Sequence, residues 1–593
     1  MNKTAKSLLL GAILMTVAVA CGPSAGDGGT TPQANGGGGA ATADTGGEDG
    51  GATRDVVTLT GFMMNGGNQA NIDRATWYTN FLRDELGIVL EFIDTAGTPS
   101  TQMMQTLLAS GDLPDLIGFG GGQGPGFANT AAQAGMLLNL EDHAQYLPSI
   151  FANRQYYHAL NYSRDHLSGG RGNVYVVATI VGAENNINFD QQLRWDVYRE
   201  IGMPPVRVFE DFLDVVEMML EAYPVNYDGQ GMFGFSIFGE WDGDGMLYAW
   251  EAPLMWGRRN INGYLEVDVT GNDPHDIIST FDDNSGYLRM LRFFFEANQR
   301  GILDPDSITQ DWPSVQAKKT DGRVMWSYWP WASAGFNIED RVNADPPIGY
   351  ASVWSECFVN SVSADAWTGR LESMGISANA SNIEAALRMW DFYFSFDGMS
   401  FMHNGPQGEL WDYDASGLRY RTPRGFQAFI HNPSETFMEG GGLRADAQGI
   451  FGPPPMTWET IHPGTNGQTI SSNFWDDVLY YNPSNLLLDW RAHNDNAFSK
   501  VRWAIDNNRT AKITQAVDMM ATVPDDILSI ISTIRPIVVT NSWRMIYAAD
   551  EAEFYALWEE IRNSAEGLGL ATAQEWGRQN WIDTVNLARN YMP

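Results

Sequence analysis

The chain has 593 residues, roughly twice the length at which one hydrophobic core stops growing, so more than one core is expected. Hydrophobic residues at 44% and charged residues at 18% exclude wholesale disorder. Lys and Arg total 36 against 72 Asp and Glu, a formal net charge of −36, and no cationic cluster is present to displace counterions from nucleic-acid phosphates. Two cysteines, Cys21 and Cys357, make no disulfide framework, and Cys357 is expected as a buried thiol. The 21 Trp and 22 Tyr are the unusual entries in the composition.

At the amino terminus, Lys3 and Lys6 precede an apolar run over residues 8–20. That run has the length of a signal-peptide core and is too short to span a bilayer as a helix. It ends in Ala18-Val19-Ala20-Cys21-Gly22, which resembles a bacterial lipobox, with Ala18 where Leu is more usual. The expectation is a signal peptide over 1–20 and acylation (palmitate or a similar chain) of Cys21. That leaves the chain lipid-anchored on the extracytoplasmic face of the cell membrane. Residues 21–54, rich in Gly, Ala and Thr, read as a flexible tether with no large apolar side chain to bury. Gly22-Pro23-Ser24-Ala25-Gly26 matches the G-x-S-x-G pattern of hydrolases, but it lies in this tether and lacks the strand–turn–helix which that chemistry needs.

From Val56 onward, strand and helix signals alternate. Residues 56–60 are β-rich; 71–86 carry apolar positions at helical spacing and stop at Gly87. A second strand is predicted over 88–93, a second helix over 101–109 and a third strand over 113–119. This pattern means βαβ units and a parallel sheet, whose ligands bind beyond the carboxyl ends of the strands. Asn65, Gly121 and Gln123 stand at those ends. The glycines of 118–126 fit no register of G-x-G-x-x-G, so they read as a tight loop that lets backbone approach a ligand.

Several segments, in order along the chain, resemble the family 1 extracellular solute-binding proteins, the ligand-capturing subunits of ABC importers. They include Leu108-Ala109-Ser110-Gly111-Asp112-Leu113-Pro114-Asp115-Leu116-Ile117, Gly135-Met136-Leu137-Leu138-Asn139-Leu140 and Asn173-Val174-Tyr175-Val176-Val177-Ala178. Arg194-Trp195-Asp196, Gly301-Ile302-Leu303-Asp304-Pro305 and Gly375-Ile376-Ser377-Ala378-Asn379-Ala380 continue the series. Trp326-Ser327-Tyr328-Trp329-Pro330-Trp331 falls where maltose-type members also carry tryptophans. Gly405-Pro406-Gln407-Gly408-Glu409 is similar to the variant found in large lipoprotein members. The resemblance implies an α/β, type II periplasmic-binding-protein-like fold, with two α/β lobes, a multi-strand hinge and a ligand cleft between them. On that pattern the first lobe takes 55–182 and 332–398, and the second takes 183–331 and 399–593.

A sugar site pairs flat aromatic faces with polar side chains around a rim of hydroxyls. Trp329 and Trp331, two apart, share one face in an extended segment. They are the first ligand candidates, with core packing as the competing role. Trp411, Trp475 and Trp241 follow by the same reasoning, and Arg194 is a candidate clamp or helix cap. Glu240, Asp242, Asp244 and Glu251 nearly fit an EF-hand calcium loop, with Gly245 at position six but Glu in place of Asp at position one. No cofactor is required by this reading, and Ca2+ is the one metal the loop suggests. The eight histidines include no pair at i, i+3 or i, i+4, and no H-E-x-x-H, C-x-x-C or P-loop occurs.

The expectation is a monomeric, non-enzymatic binding lipoprotein that takes a carbohydrate, an oligosaccharide first, and hands it to ABC importer permease subunits. Two other classes stay open on the sequence: a surface glycoside hydrolase or lyase with an aromatic cleft, and the same fold binding a peptide or another small solute.

Overall fold

The computed structural model describes residues 55–592, except 66–75, 96–97, 122, 185–186, 188–189, 355–357, 371, 429–450, 452–453 and 480–482. The signal segment, Cys21, the tether and Cys357 lie outside the described residues.

The expected alternation is present: β1 (Val57–Met63), the helix Trp77–Leu86, β2 (Ile88–Phe92), the helix Ser100–Ser110 and β3 (Leu116–Gly120). Thr76 and Thr79 cap the first helix reciprocally, and Gly87 ends it at φ 66°, where a side chain is strained and glycine is not. Asp115, just before β3, accepts both the N–H and the hydroxyl of Thr60 in β1, at 2.7 and 2.8 Å. Its other oxygen takes the Ser381 N–H, so one carboxylate fixes three segments at the same end of the sheet.

The remaining strands that frame the site are β4 (Val176–Ala178), β5 (Gln192–Arg194), β6 (Arg258–Ile261), β7 (Leu265–Asp268) and β8 (Ile277–Ser279). They are followed by β9 (Trp326–Ser327), β10 (Tyr350–Ser352), β11 (Asn360–Val362) and β12 (Glu372–Ile376). The first sheet has the order β2-β1-β3-β12-β4; β1 is parallel to β2 and β3, and β12 runs antiparallel between β3 and β4. A second sheet, β10-β5-β9, is antiparallel. Parallel bridges Phe233–Val324 and Phe235–Leu303 widen it.

Each sheet has its own core. Leu59, Ile88, Leu116, Val177, Met374 and Trp390 pack in the first. Leu193, Phe235, Phe294, Trp326, Ile534 and Trp558 pack in the second. Among the described residues, burial passes from the first core to the second between Val181 and Leu193, returns between Phe358 and Met374, and passes again to the second between Ile470 and Leu486. The first two passages are joined by the Ile187–Val362 bridge, and β11 pairs in parallel with Thr510–Lys512.

These passages correct the lobe boundaries drawn from the sequence. Ala332, Ala351 and Val353 bury in the second core because β10 pairs with β5, so the return to the first lobe comes well after residue 331. Met399, Met402, Leu410, Met456 and Ile470 bury in the first core, so the chain does not leave it at residue 398. No helix among the described residues is long and apolar enough to cross a membrane.

Candidate functional site

A cavity of about 600 Å³ opens between the two cores. From the first side it is lined by Phe119, Gly121, Gln123, Tyr162 and Leu167; from the second by Asp244, Trp250, Arg259, Asn262 and Asp518. Thr368, Arg370 and Glu372, at the end of the second passage, close its floor. Gly121 and Gln123 therefore stand where the carboxyl end of β3 was expected to meet a ligand. Gly121 turns the chain at φ 68° with open space where a Cβ would lie, which lets the backbone enter the helix Gly124–Gln133 directly. Asn65 sits at the exposed turn after β1, against Gly120, where an added Cβ would meet its side chain at 2.3 Å. It supports the rim and is not part of the cavity lining.

Four indoles gather at the carboxyl ends of the second sheet's parallel segments. Trp331 stacks on Trp329 at 5.3 Å and 22°, and on Trp241 at 6.2 Å and 27°. Trp312 joins Trp241 at 5.3 Å and Trp331 at 5.0 Å. Trp329 is buried, whereas Trp241 and Trp331 are 43% and 50% exposed. The result is an aromatic face with a buried backing, three residues before the cavity-lining Asp244 in the chain and outside the cavity lining itself. Trp312 was not singled out from the sequence. It opens the helix Trp312–Thr320 behind the Asp311 cap, a helix-start pattern that says nothing about which way the indole faces.

Three sequence candidates lie elsewhere. Arg194 is buried, bidentate to Asp196 at 3.0 and 2.7 Å, bonded to the Gly322 carbonyl at 2.7 Å and stacked over Phe336. It ties β5 to its neighbours and is not part of the cavity lining. Trp411 and Trp475 are buried and donate to the Gly405 and Thr469 carbonyls at 2.8 and 2.9 Å, with Arg419 over both rings. They are the core of the 400–475 segment.

The residues of the proposed calcium loop do not converge. Glu240 accepts the Trp312 N–H at 2.9 Å; Asp242 accepts the Leu247 N–H and the Trp543 indole N–H, each at 2.7 Å. Arg535 Nε donates to Asp244 Oδ1 at 2.9 Å, so position five of the loop is already neutralised by a guanidinium. Burial pushes the Glu251 carboxyl up despite Arg259 nearby. Among the described residues no group of three or more His, Cys, Asp or Glu side chains is placed to hold a metal ion. As arranged, these residues do not fit calcium.

Glu372 is the titrating group of the cleft floor. It is buried, its Oε1 accepts the Asn65 N–H at 3.3 Å, and its Oε2 has no partner. Burial pushes its carboxyl up to about 7, against the backbone donors of Asn65 and Met64. An unfolded Glu loses its proton near 4.5 and the folded one near 7. The native state thus holds more protons in that window, and stability falls as pH rises through it. Glu372→Gln is expected to remove that slope, worth ~2–3 kcal/mol between pH 5 and 8. Urea titrations across the window check it; an unchanged slope in the variant refutes the assignment.

One contact bridges the two sides at the cavity rim. The Tyr591 hydroxyl, at the end of the second side's last helix, donates to Asp165 at 2.7 Å and lies 3.0 Å from His166 Nε2. Its ring meets Tyr162 edge-on at 5.5 Å.

No family model matches the chain. A protein of Streptococcus pneumoniae serotype 4, the fructooligosaccharide ABC transporter substrate-binding protein FusA, is 23% identical over 234 residues. That match spans 38% of this chain and 40% of that relative's length. The solved structure of S. pneumoniae FusA with kestose superposes at a TM-score of 0.59 and 15% identity, covering 90% of this chain and all of that one. The alginate-binding protein AlgQ2 without calcium superposes at 0.54 and 14% identity, over 89% of this chain and 98% of that one. These likenesses show the α/β fold that the resemblance implied.

Proposed function

We propose that this chain, which has the fold of the ABC-transporter solute-binding proteins, captures an oligosaccharide in the cleft between its two cores and delivers it unaltered to an importer permease. The observation that carries this reading is a cleft lined from both cores, by Gly121 and Gln123 at the carboxyl end of β3 on one side and by Asp244, Trp250 and Arg259 on the other, with an exposed indole face three residues before Asp244 in the chain. Sugar C–H faces stack on Trp241 and Trp331, and the hydroxyls find the polar groups of the floor. A guest touching both lobes makes more contacts in the closed form, so binding shifts the population toward closure. The hinge is the set of passages between the two cores, where the Ile187–Val362 bridge joins the first two. The lipid anchor on Cys21 and the tether keep the lobes at the membrane, and the bound state is what the permease meets. Nothing in this cycle breaks a bond or calls for a metal.

A thermal-shift screen of mono- and oligosaccharides, followed by chromatography of the recovered sugar, tests the reading. A saturable rise in melting temperature with unchanged sugar is expected. Turnover of the sugar would make the protein an enzyme instead, and the absence of any shift would remove the carbohydrate. Millimolar calcium is expected to leave the melting temperature unchanged; a rise of several degrees would mean that Asp244 leaves Arg535 to form a metal site.

A further inference from the structure

Buried polar atoms in folded proteins are almost always hydrogen-bonded, and three that are not lie in the lining of the cleft. Thr368 Oγ1, Arg370 Nε and Glu372 Oε2 are buried there and make no hydrogen bond among the described residues. Two full charges stand beside them, the half-buried Arg259 and the solvent-exposed Asp518. Arg259, on β6, and Asp518, on the short helix Ala516–Met519, both line the cavity, and neither side chain makes a hydrogen bond or ion pair among the described residues. The other charged groups of the lining are committed, Asp244 to Arg535, Arg370 to Glu184 and Glu372 to the Asn65 N–H.

Arg259 and Asp518 feel each other without touching. Desolvation pushes the Asp518 carboxyl up while the Arg370 and Arg259 charges pull it down, yet no nitrogen of Arg259 comes within ion-pair distance. A cation and an anion held apart in this way leave room for a group that is donor and acceptor at once. A sugar hydroxyl is such a group; a carboxylate only accepts, satisfying Arg259 while facing Asp518 with like charge.

We propose that Arg259 and Asp518, supported by the Thr368 hydroxyl, form the recognition set of the cleft and select an uncharged, polyhydroxylated guest over an acidic one. A guest hydroxyl donates to Asp518 and accepts from Arg259, and a neighbouring hydroxyl donates to or accepts from Thr368 Oγ1. This rests on the carbohydrate reading above and narrows it to neutral oligosaccharides.

The test is calorimetry at pH 7.5 with neutral hexose oligosaccharides of three to five units and oligouronates of the same lengths. The best neutral guest is expected to bind at least ~30-fold more tightly than any uronate, and Arg259→Met to weaken it roughly 10- to 100-fold. Asp518→Asn is expected to weaken the neutral guest and to narrow the gap to the uronates about tenfold or more. Arg259→Lys, which keeps the charge and loses the fork, falls between wild type and Arg259→Met. Neither side chain makes a hydrogen bond or ion pair among the described residues, so melting temperatures of the unliganded variants stay near wild type. Uronates that bind as tightly as neutral sugars, or variants that keep wild-type affinity for the neutral guest, overturn the proposal while leaving a carbohydrate-binding protein. Failure of both saccharide classes to bind overturns the carbohydrate reading and this inference with it.

Discussion

Lys319→Met is expected to raise the unfolding free energy by ~3–5 kcal/mol at pH 6 and by no more than ~1 kcal/mol at pH 10. Lys319 lies in the helix Trp312–Thr320, is 1% exposed, and donates to Ser327 Oγ at 3.1 Å with no carboxylate in ion-pair reach among the described residues. Burial lowers its pKa from 10.5 to about 7. The unfolded lysine keeps its proton up to 10.5 and the folded one only up to about 7. Between these values the unfolded state binds more protons, so stability rises with pH, and below 7 the full penalty of a buried ammonium is present. A methionine of similar length removes the penalty and fills the same space. Denaturant titrations at pH 6 and pH 10 check the sign: a variant less stable than wild type at pH 6 contradicts it. The lysine has one structural use. Ser327 Oγ in turn donates to the Trp329 carbonyl at 3.1 Å, so the chain from Lys319 steadies the backing of the indole face.

The second large effect concerns that face. Trp331→Ala and Trp241→Ala are each expected to weaken oligosaccharide binding roughly 30-fold, the scale of a truncated aromatic anchor. Because both indoles are close to half exposed, the unliganded protein should lose little stability. Trp329→Ala should behave oppositely, costing ~3 kcal/mol or more of stability because a buried ring leaves a cavity. Affinity measured by calorimetry and melting curves of the three variants separate the roles. Full affinity in the Trp331 and Trp241 variants would mean that the guest lies elsewhere.

What the sequence made legible follows from local physics. The first three strands and two helices were readable because periodicity and glycine stops are local signals, and Gly87 and Gly111 stand at left-handed helix ends as those signals imply. Gly121 and Gln123 were placed in the cleft by a topological rule that needs only the order of strands. The choice among tryptophans was not legible. Trp329-Pro330-Trp331 and Trp411 look alike in sequence, but Trp411 turns its N–H to the Gly405 carbonyl and packs against Trp475. Arg194 is claimed by Asp196, a neighbour in sequence whose alignment depends on β5 entering its helix. The lobe boundaries failed because β10 and the 399–470 segment are assigned by long-range pairing and burial. Arg259 and Asp518 come from distant segments joined only by packing, and no motif marks either.

The account stands on closure around an unaltered sugar, and small-angle scattering of the same sample with and without a saturating oligosaccharide tests it most directly. A smaller radius of gyration on binding, with the sugar recovered intact, is the predicted result. Identical scattering curves at full occupancy would contradict it.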